Sequence, residues 1–310
     1  MIRIPIVIDC DPGHDDAIAL MLAAASPEVN LVGVTTVAGN ATIDKTTRNA
    51  LAVLELIGRT DVPVATGAEA PLERDLVTAE HVHGATGLDG PDISEPTTRP
   101  HELGAVAFLA RTLAASDQPV TLIPVGPLTN IARLVTAHPE LTTRIERIVL
   151  MGGSIGLGNI TPAAEFNIYV DPEAAAIVFR SGIDITMIGL DVTHRARLTI
   201  ENAEQLRPTG RAGAFVAGLL DFFVANYRRR MGFDGAPIHD ALAVAHVIRP
   251  DLVKTEAFAV EIDTTDGPSA GRTLVDRYHV TGREPNARVG TAVDSERFAG
   301  LLLERIASLD

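Results

Sequence analysis

An acidic stretch set directly behind a short apolar run limits what this chain can fold into. The run is Ile4-Pro5-Ile6-Val7-Ile8, and the stretch is Asp9-Cys10-Asp11-Pro12-Gly13-His14-Asp15-Asp16. The apolar run has the length and composition of a buried strand. Pro12-Gly13 breaks it, and apolar residues recur at helical spacing from Asp15 to Ala24. Four carboxylates therefore stand where a strand ends and a helix begins, the ligand-binding edge of an open α/β sheet. An acid there can cap the helix and meet its dipole. That accounts for Asp15 or Asp16 but not for four acids. Like charges packed this closely are costly unless a cation lies between them, and an all-oxygen set selects Ca²⁺ or Mg²⁺ over Zn²⁺.

Strand and helix patterns then alternate. Val29–Val37 reads as a second strand, Thr42–Ile57 as a helix and Val62–Ala65 as a third strand. Such alternation implies an α/β fold with a mostly parallel sheet and helical crossovers. The pattern stops from Gly67 to Pro100, a loop long enough to be functional or mobile. It resumes with a helix over Leu103–Ala115, strands at Val120–Val125 and Ile145–Leu150, and a helix over Leu128–Thr136. A second irregular segment, Ser154–Val170, precedes a helix that Asp171 caps and Pro172 opens. Ile183–Leu190 reads as a strand, Gly213–Arg230 as a long helix and Ile238–Val247 as another. Leu252–Ile262, Thr273–Tyr278 and Ala287–Val293 read as late strands, arranged as a meander, before a closing helix over Ser295–Ile306 with Asp294 as its cap. No repeat or domain boundary stands out, so residues 1–310 are expected to form a single domain.

Charge narrows the partners. The formal net charge of −14 argues against nucleic acid or an anionic membrane and suits a neutral ligand or a bound metal. Cys10 is the only cysteine, which excludes an intrachain disulfide and fits a reducing cytoplasm. Strand alternation turns it away from Asp9 and Asp11, so it reads as a packed small residue. Met1–Val7 does not read as a signal peptide, and no apolar stretch reaches transmembrane length uninterrupted. Arg228-Arg229-Arg230 reads as a solvated helix terminus.

Polar or Gly-rich segments end several strands: Asp9–Asp16, Gly39-Asn40, Gly126–Asn130, Met151–Asn167 and Asp191–His194. Strand ends of a parallel sheet lie along one edge, so these segments can converge. The residues alone leave His239 open between a functional and a structural role, and His83 between a site residue and a solvated loop residue.

The stretch DCDPGHDDAIAL at 9–20 resembles the N-terminal fingerprint of the inosine–uridine-preferring nucleoside hydrolases. AGN at 38–40, HGATGLDG at 83–90, VGPLTNIA at 125–132, MGG at 151–153, AEFNIYVDPEAA at 164–175 and IHDALAVA at 238–245 extend the resemblance, in the family's order, through most of the chain. It implies an open, Rossmann-like fold and hydrolysis of the N-glycosidic bond of ribonucleosides to ribose and free base. It also implies one Ca²⁺ held by the carboxylates of Asp11, Asp16 and Asp240 and by the backbone carbonyl of Val125. Relatives often have Thr at that position, and a main-chain contact tolerates Val. Asp11 matches the family's base, which takes a proton from the attacking water. Asp15, Asn40 and Asn167 match groups that grip the ribose or orient the metal ligands, and Asn159 and Glu165 match those that meet the 5′-hydroxyl. Met151, Phe166 and Asp240 fall in the same substrate-binding motifs. His239 matches the candidate general acid, and His83 lies on the loop that closes over the base. Tyr227 stacks on the base, bonds it, relays its proton or merely packs; the sequence leaves these open, and with Phe223 and Met231 on neighbouring turns it leaves base preference open too. The family forms homodimers or homotetramers.

Two rival readings exist. A Mg²⁺ phosphatase of the haloacid-dehalogenase type also places Asp-x-Asp after its first strand, but it needs a cation against the phosphate, and lysines are scarce here. A non-catalytic Ca²⁺-dependent nucleoside or ribose binder needs neither Asp11 as base nor an acid, so the presence of His239 beside Asp240 favours the enzyme.

Overall fold

The runs read as strands line up side by side in the computed structural model, which describes residues 3–309. In chain order the strands are β1 (Ile4–Cys10), β2 (Val29–Thr36), β3 (Val64–Thr66), β4 (Val120–Pro124), β5 (Ile145–Met151), β6 (Ile185–Ile188), β7 (Arg197–Leu198), β8 (Ala236–Pro237), β9 (Val253–Phe258), β10 (Val260–Ile262), β11 (Thr273–Val275) and β12 (Ala287–Val293). Eight of them form one sheet in the order β3-β2-β1-β4-β5-β6-β12-β9. Every pairing in it is parallel except β12 with β9. This is the α/β architecture expected, with helices on both faces.

The winding direction reverses between β1 and β4, which opens a crevice at their carboxyl ends. Successive β1 side chains serve opposite layers: Ile6, Ile8 and Cys10 join one core and Val7 the other. Cys10 is fully buried among these apolar neighbours, and burial pushes its thiol up, so it packs as expected and offers no thiolate. The helix His14–Ala25 packs on the helix His239–Ile248, which brings two acidic helix starts together under the crevice.

Two local signals hold as read. Asp171 accepts a hydrogen bond from the Ala174 N–H and Asp294 one from the Arg297 N–H, each capping the helix that follows. Other readings need correction. The long loop holds a one-turn helix, Glu80–His83, and the second irregular segment ends in the helix Phe166–Val170. The helices Leu190–Thr193 and Ile200–Leu206 went unread. The late strands are not a meander. Asn286 occupies the backbone groups of Val260, accepting from its N–H at 2.7 Å and donating to its carbonyl at 2.9 Å. This ends the β9–β12 ladder at Phe258, and β10 turns away to pair with β11 in a separate hairpin.

Candidate active site

Asp11 leaves β1 at the crevice with its carboxylate fully buried. Its Oδ2 accepts from the Asn40 N–H at 2.6 Å, while its Oδ1 is enclosed with no hydrogen-bond partner. The carboxylate fits because Gly39 and Gly126 have no side chain: a Cβ there would stand 2.2 Å from Oδ2 and 2.6 Å from Oδ1, respectively. Asp16 caps its own helix, taking the Gly13 N–H at 2.9 Å and the Asp11 N–H at 3.1 Å. Asn40 Nδ2 also donates to Asp16, at 3.2 Å. Asp15, Asp16 and Asp240 each bring an oxygen to within 4.8 Å of the others. Asp11 lies beside this triangle.

Burial, followed by the neighbouring negative charges, raises the proton affinity of Asp11 and Asp240 far above the ordinary carboxylate range. Asp15 is pushed up to about 8 for the same reasons. Asp16 is also raised by burial, against the hydrogen bonds it accepts. No lysine or arginine is among the groups that shift these four. Behind them Asp9 is pushed up to about 7 by burial and has an unpartnered Oδ2, although Thr35 and Asn130 donate to its Oδ1. Clustered, buried, all-oxygen donors with unpartnered oxygens and no cationic side chain fit a hard divalent cation.

Above this floor is a small pocket of about 80 Å³. Asp15, Asn40, His83, Val125, Met151, Asn159, Glu165, Phe166, Asn167, Tyr227, His239 and Asp240 all line it, so twelve residues named from sequence meet there. Asp11 and Asp16 are not in the lining and lie beneath it. Asn167 Nδ2 donates to the carbonyls of Val125 at 2.8 Å and Met151 at 3.1 Å, joining the ends of β4 and β5. Glu165 Oε2 accepts from the N–H groups of Gly153 and Ile168, and burial pushes the carboxyl up to about 7. Asn159 Oδ1 takes the Phe166 N–H at 2.9 Å.

The far end of the pocket is aromatic. Tyr227 Oη lies 3.0 Å from His239 Nε2, and the other ring nitrogen, Nδ1, lies 2.7 Å from Thr193 Oγ1. Burial, with His194 nearby, keeps His239 well below the ordinary imidazole range and therefore neutral. His83 is buried and not solvated. His14 explains its placement. The His14 ring stacks between Phe222 and Phe223, and its Nε2 meets the Asp89 carbonyl at 2.8 Å. Its Nδ1 lies 3.1 Å from His83 Nδ1. Nothing near His14 in the sequence points to this role, because its partners His83, Asp89, Phe222 and Phe223 lie far along the chain. Phe223, Asn226, Arg230 and Met231 also line the pocket from the helix Arg211–Met231. Arg228 and Arg229 are exposed as expected, but Arg230 also donates to the His81 carbonyl at 3.1 Å, tying the helix to the loop. Among the described residues no helix is long and apolar enough to cross a membrane.

Residues 6–300 match the model of the inosine-uridine preferring nucleoside hydrolase family. The chain is 52% identical over 305 residues to a pyrimidine-specific ribonucleoside hydrolase RihA of Escherichia coli, covering 98% of each chain. RihA of Citrobacter koseri is likewise 52% identical over 306 residues, again 98% of each chain. Among solved structures, the fold is similar to a purine-preferring ribonucleoside hydrolase from Gardnerella vaginalis, with a TM-score of 0.93, 35% identity and 98% of each chain covered. It is also similar to a plant nucleoside hydrolase, with a TM-score of 0.92, 33% identity and 99% of each chain covered. Family match, relatives and fold agree with the acidic crevice, and we conclude that the chain belongs to the inosine–uridine preferring nucleoside hydrolases and is a ribonucleoside hydrolase.

Proposed function

We propose that the protein is a Ca²⁺-dependent hydrolase of pyrimidine ribonucleosides. The observation that carries the metal is the floor of four buried carboxylates, Asp11, Asp15, Asp16 and Asp240, with no cationic partner. Asp11, Asp16, Asp240 and the Val125 carbonyl are the assigned ligands. When bound, Ca²⁺ would orient the ribose and increase the acidity of the attacking water. The pyrimidine preference is taken from the RihA relatives, which are more similar in sequence than the purine-preferring structure.

Asp11 is the base: it takes a proton from water as the water oxygen attacks the anomeric carbon and the carbon–nitrogen bond breaks toward the base. Asp15, Asn40 and Asn167 hold the ribose at the floor, and Asn159 and Glu165 meet its 5′-hydroxyl. The carboxylate cluster favours the positive charge that builds on the ribose, so it binds the transition state more tightly than the substrate. Negative charge builds on the departing base. His239 is the candidate general acid there, with Tyr227 at its Nε2 and His83, Phe166 and Met151 framing the base. A phosphatase would need cations against the phosphate, and among the described residues the pocket is lined by no lysine and by no arginine except Arg230. We take residues 1–310 as one domain, and the assembly as a cytoplasmic homodimer or homotetramer.

The test is release of free base from uridine, cytidine, inosine, adenosine and guanosine without phosphate, with and without chelator. Release that ranks uridine and cytidine first, and that chelation abolishes and Ca²⁺ restores, supports the proposal. Release unaffected by chelation removes the metal from it, and inosine ranked first removes the pyrimidine preference.

A further inference from the structure

Thr193 stands behind His239 because the chain clamps the two segments together. The short strands β7 and β8 pair antiparallel, Arg197 against Pro237 and Leu198 against Ala236. The Ile238 N–H continues this by donating to the Ala196 carbonyl at 2.9 Å. From the other direction, the Leu190 N–H is fixed to the Gly153 carbonyl and the Thr193 N–H to the Gly189 carbonyl. Thr193 is fully buried, and among the described residues its hydroxyl has one hydrogen-bond partner, His239 Nδ1.

A count of protons then gives the chain Thr193–His239–Tyr227 a direction. A neutral imidazole has one N–H, and each flanking hydroxyl has one proton. In the inward arrangement Tyr227 donates to Nε2 and the Nδ1–H donates to Thr193. The Thr193 proton is then sealed in the protein without an acceptor, and Tyr227 shows the pocket only lone pairs. In the outward arrangement Thr193 donates to Nδ1, the Nε2–H donates to Tyr227, and the Tyr227 proton faces the pocket, where a departing base accepts it as a hydrogen bond. The unsatisfied donor disfavours the inward arrangement by roughly 10-fold or more. Aligned bonds of this kind also polarise one another, strengthening the last donor in the chain.

We propose that Thr193 is a positioning residue that fixes the Nε2–H tautomer of His239, so that Tyr227 presents a hydrogen-bond donor to the leaving base. The inference rests on the assignment of the His239 end of the pocket to the leaving group.

The experiment compares wild type, Thr193→Val, Thr193→Ser and His239→Ala on uridine and on p-nitrophenyl riboside, whose leaving group needs no such donor. Thermal unfolding checks that each variant is folded, and Thr193→Ser, which keeps the hydroxyl, covers a failure of the valine variant. The expected result for Thr193→Val is a loss in kcat on uridine of about 10- to 100-fold, with KM nearly unchanged and a loss of no more than about 3-fold on p-nitrophenyl riboside. Thr193→Ser should retain most of the uridine rate. Imidazole ¹⁵N NMR should show His239 with a pyrrole-like Nε2 and a pyridine-like Nδ1 in wild type. The inference is overturned if Thr193→Val leaves the uridine kcat intact, or lowers both substrates equally, while His239→Ala is selective for uridine. A pyrrole-like Nδ1 in wild type also overturns it. Equal losses on both substrates for His239→Ala would instead remove the leaving-group assignment itself, and the inference with it.

Discussion

Replacing Glu165 by Gln tests whether a buried carboxyl carries a measurable burden in this pocket. Glu165 is 2% exposed, and its Oε2 accepts the N–H groups of Gly153 at 3.0 Å and Ile168 at 3.2 Å. Those bonds favour the charged form, but burial outweighs them and lifts the group from its ordinary 4.5 to about 7. The folded-state value is above the unfolded one, so the associated stability is fully present below about 4.5 and lost as pH rises through about 7. A difference of about 2.5 pH units corresponds to roughly 3 kcal/mol, most of it lost between about pH 5 and about pH 8. Gln keeps the shape and an accepting oxygen but does not titrate. Urea unfolding of both proteins at the two pH values, with Ca²⁺ held constant, should show wild type losing roughly 2 kcal/mol more than Glu165→Gln over that interval. If the two lose stability in parallel, the carboxyl is not held up by burial and the reasoning fails. The same variant should raise KM for uridine while changing that for 5′-deoxyuridine little, because the contact proposed for Glu165 is to the 5′-hydroxyl.

Three further outcomes are expected. Asp11→Ala should abolish turnover; near-normal activity with intact metal binding would exclude Asp11 as the base. Ca²⁺ binding should release protons and tighten as pH rises, because burial and neighbouring negative charge hold the carboxyls of Asp11 and Asp240 far above the ordinary carboxylate range in the metal-free molecule; calorimetry giving the same heat in buffers of different ionisation enthalpy would contradict this. Asn130→Ala should destabilise the fold by roughly 3 kcal/mol, since Asn130 donates to Asp9 and the Thr36 carbonyl and accepts from Ala68; a shift in the urea midpoint too small to resolve would show that the network is dispensable.

What could be read from the sequence was local. Ile4–Ile8 followed by Asp9–Asp16 identified a strand, a turn and a helix start because composition, break and periodicity coincide within a few residues. Asp171-Pro172 and Asp294 were legible as caps for the same reason. The twelve pocket residues named from the sequence were legible through the family resemblance, since spacing alone could not say that Glu165 and Tyr227 face one cavity. The rest depends on neighbours distant in sequence. Nothing near Thr193 announces that β7 and β8 will seat it against His239. The helix Ile200–Leu206 is capped by Thr199 and Asn202, but it is too short and polar for a periodic signal. The late strands misled because pairing of neighbours in sequence is the usual outcome, whereas Asn286 diverts β10 out of the sheet.

That diversion also bears on how the sheet is assembled. β9 has a partner on one side alone, and that partner is β12, the last strand in chain order. β6 likewise exposes a bare edge until β12 inserts beside it, about a hundred residues later. A nascent chain on the ribosome would therefore present the β6 edge unpaired while residues 189–286 are made, and β9 unpaired as well once residues 253–258 have been added. Closure of the sheet comes from one late insertion rather than stepwise growth, which makes this half of the molecule slow to fold and prone to aggregate if synthesis stalls.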